Sequence, residues 1–297
     1  MFALVLAALT SLGSQSATIP FTYFDNRIVI QCSIDGKGPF AMIVDTGSPD
    51  VVVTPETAQR LQAKVRSAGT VTGAGNNPVA QGSTHLLRLS LGALSFTNVD
   101  ADVLNLDQIR AKLHFPHLDG LIGHSVLKRY AVFINVDAGT LTLSTSPPSE
   151  PATASITPFH GVLPVIRATI DNIPTTVIVD TGDRSSLTLF GPFAKRYAFY
   201  RKYPSKENVL TGYGLGGPVY GDVFAIPTIT VLGRTLDGVI TRASRQTGGV
   251  FTGSDQGGGI GSGILKRFNI VFDYPRGVII AWPSKFFSTP DAFRPPG

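Results

Sequence analysis

The chain carries the triplet Asp-Thr-Gly twice, at residues 45–47 and at residues 180–182. Each triplet directly follows a run of apolar residues, which spans residues 41–44 before the first and residues 177–179 before the second. A short apolar run is typical of a buried strand, and Asp and Gly suit a tight turn. The sequence therefore predicts two buried strands, each of which ends in a turn that carries one carboxylate.

The surroundings of the two triplets are repeated as well, so the chain is an internal duplication. Residues 120–143 align without a gap with residues 258–281, and Gly139 faces Gly277 in this alignment. The repeating unit is about 135 residues long, which is the length of a lobe and far longer than a solenoid repeat. We therefore expect two similar lobes, each with one carboxylate turn.

The composition favours short strands joined by turns. Charged residues make up 15% of the chain, below the usual quarter, while Gly (32) and Pro (21) are plentiful. The hydrophobic share of 43% is too high for a disordered chain. Residues 35–38 and 171–174 lie between apolar segments and predict two hairpins, and Thr54 before Pro55 predicts a helix over residues 55–64. The expected fold class is all-β, with a few short helices.

The same patterns divide the chain into segments. The expected segments are a signal peptide at residues 1–16, an N-terminal lobe at 17–143, a linker at 144–155, a C-terminal lobe at 156–282 and a Pro-rich tail at 283–297. The signal peptide is inferred from a short apolar run followed by small and polar residues, although no Lys or Arg precedes that run. A signal peptide would direct the chain to a secreted or periplasmic location.

A later motif completes the pattern in both halves, as Leu121-Ile122-Gly123 follows the first triplet and Gly259-Ile260-Gly261 follows the second. Two apolar Asp-Thr-Gly strands, each with a later apolar step that ends in Gly, resemble the aspartic proteases. Residues 119–130 and 270–274 are similar to the bacterial retropepsin-like branch of that family. The resemblance implies a bilobal pepsin-like or retropepsin-like fold, with two duplicated β-barrel-like lobes and a cleft between them.

On this resemblance, Asp45 and Asp180 are the candidate catalytic residues. Two carboxylates held close together cannot both ionise easily, so they share one proton. The charged member can accept a proton from a water molecule, while the protonated member donates to the carbonyl oxygen of a peptide bond. The implied function is an aspartic endopeptidase that cleaves extended polypeptides and requires no cofactor and no metal. We expect a monomer, because one chain supplies both carboxylates.

The resemblance also assigns roles to residues near this pair. The residues expected to support the two turns are Thr46, Gly47, Ser48, Thr181 and Gly182. The threonines would bond across the interface between the lobes, the glycines allow a close backbone approach, and a hydroxyl at position 48 can hold the outer oxygen of the carboxylate. The candidates for flaps that cover the cleft are Gly73, Ala74, Gly75, Tyr213 and Gly214. Plain solvent hairpins without a role are the alternative for both flaps.

One residue departs from the family pattern. Asp183 follows the second triplet, where the family usually has a small hydroxyl residue or alanine. A third carboxylate there would raise the proton affinity of Asp180 unless it turns outward to Arg184. This departure leaves open a second interpretation, a catalytically weak peptide-binding or inhibitor-like protein that retains the fold. A third is a site in a single lobe, completed by dimerisation.

Other classes of function are disfavoured by the sequence. The net charge is +5, but the basic residues are scattered and form no stripe with aromatic residues, which disfavours nucleic acid as a partner. His114, His117 and His124 lie close together in the sequence, yet Pro116 breaks the helical spacing that zinc-binding helices use. Residues 257–263 are rich in glycine but do not match the dinucleotide-binding spacing, and no serine nucleophile elbow is visible.

Overall fold

The computed structural model describes residues 16–293 except residues 113 and 116, and also residue 295. The expected signal peptide at residues 1–16 lies outside these residues, apart from its last one. The described part of the chain forms three β-sheets with short helices between strands, which confirms the all-β fold class. None of its helices is long and apolar enough to cross a membrane.

The secondary structure of the two halves follows the duplication. The strands of the first half are β1 (Ser16–Pro20), β2 (Thr22–Phe24), β3 (Arg27–Ile34), β4 (Lys37–Val44), β5 (Val51–Val53), β6 (Arg66–Val71), β7 (Val79–Leu91), β8 (Leu94–Leu104), β9 (Leu118–Ile122), β10 (Ala131–Asn135) and β11 (Thr140–Ser144). Its helices are α1 (Pro55–Leu61), α2 (Asp107–Lys112) and α3 (His124–Leu127). The strands of the second half are β12 (Ser155–Pro158), β13 (Val165–Ile170), β14 (Ile173–Val179), β15 (Leu187–Leu189), β16 (Lys206–Gly214), β17 (Gly217–Val231), β18 (Arg234–Ser244), β19 (Gly258–Ile260), β20 (Phe268–Asp273) and β21 (Val278–Pro283). Its helices are α4 (Gly191–Arg196), α5 (Phe199–Lys202) and α6 (Ser262–Leu265), with a 3₁₀ turn at Val250–Thr252.

Each half contributes one lobe sheet. The first-lobe sheet has the order β2-β3-β4-β9-β5-β8-β7-β6, and the second-lobe sheet has the order β13-β14-β19-β15-β18-β17-β16. The two predicted hairpins are present, since β3 pairs with β4 through Asp35 and Gly36, and β13 pairs with β14 through Asp171 and Asn172. All four turn residues have a positive φ between 49° and 74°, as the tightest two-residue hairpins require.

The strand that leads into each Asp-Thr-Gly turn lies inside its sheet, beside a parallel partner. β4 runs parallel to β9, and β14 runs parallel to β19. The backbone N–H of Asp45 donates to the carbonyl of Ile122 at 2.9 Å, and that of Asp180 donates to the carbonyl of Ile260 at 3.0 Å. The repeated apolar step that ends in Gly therefore fixes the point at which each turn begins.

The third sheet joins the two halves. Its order is β1-β11-β10-β20-β21-β12, so each half supplies three strands, and the two central strands are equivalent in the duplication. Val132 pairs with Phe272 and Ile134 with Ile270, and these two pairs exchange when each residue is replaced by its counterpart in the alignment. A pseudo-twofold axis therefore passes through this strand pair. The largest apolar core cluster likewise contains residues of both halves.

The expected segment boundaries remain predictions, because strands from the ends of both expected lobes combine in this shared sheet. The expected linker at residues 144–155 lies between β11 and β12, and the expected tail at residues 283–297 begins at the last residue of β21.

Helix α1 begins where the sequence predicts and ends earlier. Thr54 caps it by accepting a hydrogen bond from the N–H of Thr57, and Pro55 takes its first position. The helix ends at Leu61 and not at residue 64, because Gln62 adopts the left-handed conformation with a φ of 60°.

Candidate active site

The two Asp-Thr-Gly turns face each other and are joined through their threonines. The hydroxyl of Thr46 donates to the carbonyl of Val179 at 2.7 Å and accepts the N–H of Thr181 at 3.0 Å. The hydroxyl of Thr181 donates to the carbonyl of Val44 at 2.6 Å and accepts the N–H of Thr46 at 3.0 Å. Both threonines are fully buried. These hydrogen bonds hold one turn against the other.

Each carboxyl group of the pair lies against the glycine of the opposite turn. A Cβ atom added at Gly47 would lie 2.5 Å from the Cγ of Asp180, and one added at Gly182 would lie 2.4 Å from the Cγ of Asp45. Any larger residue at either position would displace a carboxyl group. The same glycines donate their N–H groups to the aspartate of their own turn, at 2.8 Å in the first and 2.7 Å in the second. The two carboxyl groups lie within hydrogen-bonding reach of each other.

Burial is the largest cause that raises the pKa of each carboxyl group. The pKa of Asp180 lies well above its ordinary value of 3.8, because of burial first and then because of the negative charges of Asp45 and Asp183. Burial also raises the pKa of Asp45, but the N–H of Gly47, the hydrogen bond with Asp180 and the charge of Arg27 act in the opposite direction. The two carboxyl groups therefore titrate as a coupled pair that shares one proton.

Asp183 does not present a free third carboxylate to this pair. Its Oδ2 accepts a hydrogen bond from Nη2 of Arg242 at 2.9 Å, and its Oδ1 accepts the N–H and the hydroxyl of Ser185 at 2.9 and 2.6 Å. The hydroxyl of Thr188 donates to Oδ2 at 3.1 Å. Burial raises the pKa of Asp183, but Arg242 and the bonds from Ser185 outweigh it and hold this pKa below its ordinary value. The ion-pair partner is Arg242, and not the neighbouring Arg184 that the sequence suggested.

Two more arginines lie beside the second turn and are joined by one carboxylate. Arg27 donates from Nε to the carbonyl of Gly182 at 2.7 Å and pairs with Asp25 at 2.5 Å. Arg184 pairs with the other oxygen of Asp25 at 2.6 Å. Together with Arg242, these residues place three guanidinium groups and the carboxylates of Asp25 and Asp183 around the pair.

The hydroxyl of Ser48 is used differently from the expectation. It donates to the backbone carbonyl of Asp50 at 2.9 Å. A hydroxyl has a single proton, so this bond leaves none to hold the outer oxygen of Asp45. The backbone N–H of Ser48 donates to the backbone carbonyl of Asp45 at 3.3 Å. Ser48 therefore contacts the turn itself and not the carboxylate.

A cavity of about 280 Å³ between the lobes is lined by both carboxyl groups and has two unlike walls. The first-lobe wall is mostly apolar, with Ile43, Val52, Val71, Leu104, Leu106, Ile109, Leu118 and Leu121, and it also includes the charged residues Arg27 and Asp102. The second-lobe wall carries the guanidinium groups of Arg184 and Arg242 beside Val219 and Phe251. The first-lobe side of the cleft is therefore mostly apolar, and the second-lobe side carries two guanidinium groups.

The two flap candidates meet across this cavity. The N–H of Gly75 donates to the carbonyl of Leu215 at 2.8 Å, and the N–H of Asn77 donates to the carbonyl of Gly216 at 3.2 Å. A Cβ atom added at Gly75 would lie only 2.1 Å from the backbone of Gly216, so glycine is required for this approach. The flap candidates that line the cavity are Gly73, Ala74, Tyr213 and Gly214.

A third segment, residues 246–250, completes what we call the roof of the cleft, together with residues 73–77 and 214–217. The side-chain oxygen of Asn76 accepts the N–H groups of Thr247 and Gly248 at 3.0 and 3.1 Å. The amide of Gln246 donates to the carbonyl of Ala74 at 3.3 Å, and the N–H of Val250 donates to the carbonyl of Gly73 at 2.9 Å. No sequence motif marked this segment.

The sequence motifs did not mark Arg27 or Arg242 either. Arg242 gives one local signal, since it is a charged residue among buried neighbours at the end of β18. Its partner Asp183 is 59 residues away, and no spacing rule connects the two. Arg27 begins β3 two residues after Asp25, which shows only that two opposite charges are close in the sequence.

Both the sequence and the structure are similar to those of known aspartic proteases. Residues 30–126 match a family model described as Aspartyl protease. The fold is similar to the crystal structure of an aspartic proteinase from Irpex lacteus, with a TM-score of 0.57 and 14% identity over 94% of this chain and 100% of that chain. A retropepsin-like aspartic protease from Rickettsia conorii matches at a TM-score of 0.32 and 18% identity, over 43% of this chain and 89% of that chain. A comparison with curated proteins found no match.

The family match and the fold match cover different parts of the chain. The family match contains the first Asp-Thr-Gly turn and the apolar step beside it, and the fold match extends over both lobes. On these two findings, residues 30–126 are similar to the Aspartyl protease family, and the chain has the bilobal fold of the aspartic proteinases.

Proposed function

We propose that the chain is an aspartic endopeptidase in which Asp45 and Asp180 activate a water molecule for peptide hydrolysis. The observation that carries the proposal is that each carboxyl group lies against the glycine of the opposite turn, so that the two face each other. The threonine hydrogen bonds support this arrangement, and burial raises both pKa values. Such a pair shares one proton and can act as a base and as an acid.

The proposed reaction takes Asp45 as the base and Asp180 as the acid of the coupled pair. Water attacks the peptide carbonyl carbon and gives a proton to Asp45, while Asp180 donates its proton to the carbonyl oxygen. The C–N bond then breaks as Asp45 passes its proton to the leaving nitrogen, and Asp180 takes a proton from a hydroxyl of the intermediate. The products are a carboxylic acid and an amine, and the pair again holds one proton.

The proposed substrate is an extended polypeptide segment. The apolar wall of the first lobe suits a large apolar side chain, and the backbone groups of the roof can bond to the substrate backbone. Because the roof segments are bonded to one another, the roof must open before a substrate can bind. One chain supplies both carboxyl groups, so we propose that the monomer is active. Secretion stays a prediction, since it depends on residues 1–16.

The alternative is a catalytically weak peptide-binding or inhibitor-like protein that retains the fold, as Asp183 suggests. The ion pair between Asp183 and Arg242 favours catalysis. It keeps Asp183 ionised, so that Asp183 does not take the proton of the catalytic pair, and the charge of Arg242 opposes that of Asp183. The alternative remains one outcome of the experiment below.

The experiment compares the wild type with three single variants on a denatured protein substrate, from mildly acid to neutral pH. Asp45→Asn and Asp180→Asn each remove one member of the pair, and we expect cleavage to fall by at least about 100-fold. Asp50→Asn is the matched control, because it also replaces a carboxylate with an amide, but at an exposed residue. It should cleave like the wild type.

Equal cleavage by the wild type and by the two variants of the pair would overturn the proposal. A peptide mimic that carries a hydroxyl in place of the scissile amide should inhibit the wild type, because it resembles the tetrahedral intermediate. Binding of this mimic without cleavage of any substrate would support the peptide-binding alternative.

A further inference from the structure

The charged wall of the cleft contains an arginine whose donors are only partly used. Arg242 lies in β18, lines the cavity, and has a side chain that is 8% exposed. Its Nε donates to the hydroxyl of Thr188 at 2.7 Å and its Nη2 donates to Asp183 at 2.9 Å. The ring of Phe251 lies 5.1 Å from the centre of the guanidinium. These contacts fix the plane of the group.

A guanidinium has five N–H donors, and the contacts above use those on one edge. Among the residues that the structure describes, Nη1 of Arg242 has no hydrogen-bond partner. This nitrogen lies 3.6 Å from the point where a Cβ atom of Gly212 would stand. Gly212 also lines the cavity, and its lack of a side chain leaves the space beside Nη1 open. The free edge of Arg242 is therefore next to a gap in the cleft wall.

The charges around Arg242 favour an additional anion. Burial lowers the pKa of Arg242, and the charges of Arg27 and Arg184 lower it further, while Asp183 acts in the opposite direction. The three guanidinium groups are opposed by two carboxylates outside the catalytic pair, those of Asp25 and Asp183. A carboxylate that accepts from the free edge would compensate for the burial of this charge.

Arg242 is connected to the catalytic pair through Asp183. The N–H of Asp183 donates to Oδ1 of Asp180 at 3.0 Å, and the carboxylate of the same residue holds Arg242. One residue thus connects the proposed acid with the guanidinium.

We propose that Arg242 is a specificity-determining residue that receives a substrate carboxylate, so that the enzyme prefers bonds with an acidic side chain on the second-lobe side and an apolar one on the first-lobe side. The proposal rests on the function proposed above. Asp183 is then a positioning residue that acts through Arg242. The departure from the family pattern at position 183 thereby gains a role in substrate choice.

The test uses pairs of peptides that differ only by Glu or Gln beside the scissile bond, with a large apolar residue on its other side. One pair has the Glu or Gln on the amino side of the bond, and a second pair has it on the carboxyl side. For the wild type we expect kcat/KM to be about tenfold higher for Glu than for Gln in one pair, as a charge-assisted hydrogen bond provides. Ratios near one in both pairs would overturn the proposal.

Two variants separate recognition from a merely structural role. The double variant Asp183→Asn/Arg242→Gln removes both charges, and we expect its Glu-to-Gln ratio to fall to about one. Arg242→Lys retains a partner for Asp183 but lacks the planar fork, so its ratio should lie between those of the wild type and the double variant. The ratio is measured within each variant, so a general loss of activity or of folded protein cancels. A double variant that keeps the wild-type ratio would contradict the assignment.

A binding measurement distinguishes failure of this proposal from failure of the proposed function. If no peptide is cleaved, the hydroxyl-bearing mimic is prepared with Glu and with Gln, and its Kd is measured by calorimetry. Tighter binding of the Glu mimic to the wild type, lost in the double variant, would support the carboxylate site even without catalysis. Equal binding of both mimics would exclude it.

Discussion

Each threonine of the two turns uses its side chain for two hydrogen bonds across the pseudo-twofold axis. A hydroxyl can donate and accept at once, and the branched Cβ of threonine restricts its rotamer. Valine would keep the shape, but it would leave a buried N–H and a buried carbonyl without partners, which costs about 1–3 kcal/mol each. The resemblance implied the pairing of Thr46 with Thr181. Local sequence pattern alone could not, because the two residues are 135 positions apart.

The pKa of Asp180 has a consequence for stability at the same scale. In the folded chain this carboxyl holds its proton to higher pH than in the unfolded chain, where it ionises near 3.8. As the pH rises above about 4, the unfolded state loses this proton first, and folding becomes less favourable. Asp180→Asn replaces this carboxyl group with an amide that does not titrate. We therefore expect this variant to have a higher Tm than the wild type near neutral pH, with a gain that shrinks toward low pH.

Thermal unfolding from about pH 3 to about pH 7 measures this difference. The exposed Asp50 again provides the control, since the Tm of Asp50→Asn should follow that of the wild type throughout. A Tm difference for Asp180→Asn that does not change with pH would show that the pKa of this carboxyl is not raised by folding.

At the scale of elements, the sequence was informative where a single segment determines its own structure. The hairpins at residues 35–36 and 171–172 follow from residues that tolerate a positive φ, and helix α1 begins at its predicted cap. The roof is different, because it depends on contacts among three distant segments. The sequence indicated two glycine-rich tips, but it could not show that Gly75 bonds to Leu215 or that residues 246–250 take part.

Asn76 is the side chain that binds two of these segments together, and it gives a prediction for the roof. Asn76→Ala removes the oxygen that accepts from Thr247 and Gly248. A hydrogen bond contributes about 1 kcal/mol, so we expect the amide hydrogens of these two residues to exchange about fivefold faster in the variant. Hydrogen exchange followed by mass spectrometry or NMR measures this change.

Asn76→Asp is the matched control for the roof, because it keeps an oxygen in the same place. Its exchange at the two amides should stay close to that of the wild type. If Asn76→Ala also leaves both amides as slow as in the wild type, residues 246–250 are held by other contacts, and the role of Asn76 in the roof is wrong.

At the scale of the molecule, the duplication predicted two lobes and a carboxyl group from each. It did not predict that three strands from each half would form one common sheet, because a repeat pattern shows equivalent segments but not which of them pair. The sequence also could not predict that the two walls of the cleft differ. They arise where the halves have diverged, with apolar residues such as Leu104 on one side and Arg242 on the other.

The shared sheet leads to a prediction about unfolding. Because the central strands, the apolar core and the threonine hydrogen bonds all join the halves, we expect a single cooperative transition and not one for each lobe. Calorimetry should give a ratio of calorimetric to van't Hoff enthalpy near one.

Phe272 is fully buried in the central strand pair, and Phe272→Ala should lower the free energy of unfolding by about 3–5 kcal/mol. Phe286→Ala, at a residue that is 37% exposed, should change it by much less. The decisive observation is the shape of the Phe272→Ala transition. If the sheet couples the halves, the whole transition moves to lower temperature as one. Two separate transitions, of which only one moves, would mean that the lobes fold independently and that the shared sheet does not determine how the two carboxyl groups meet.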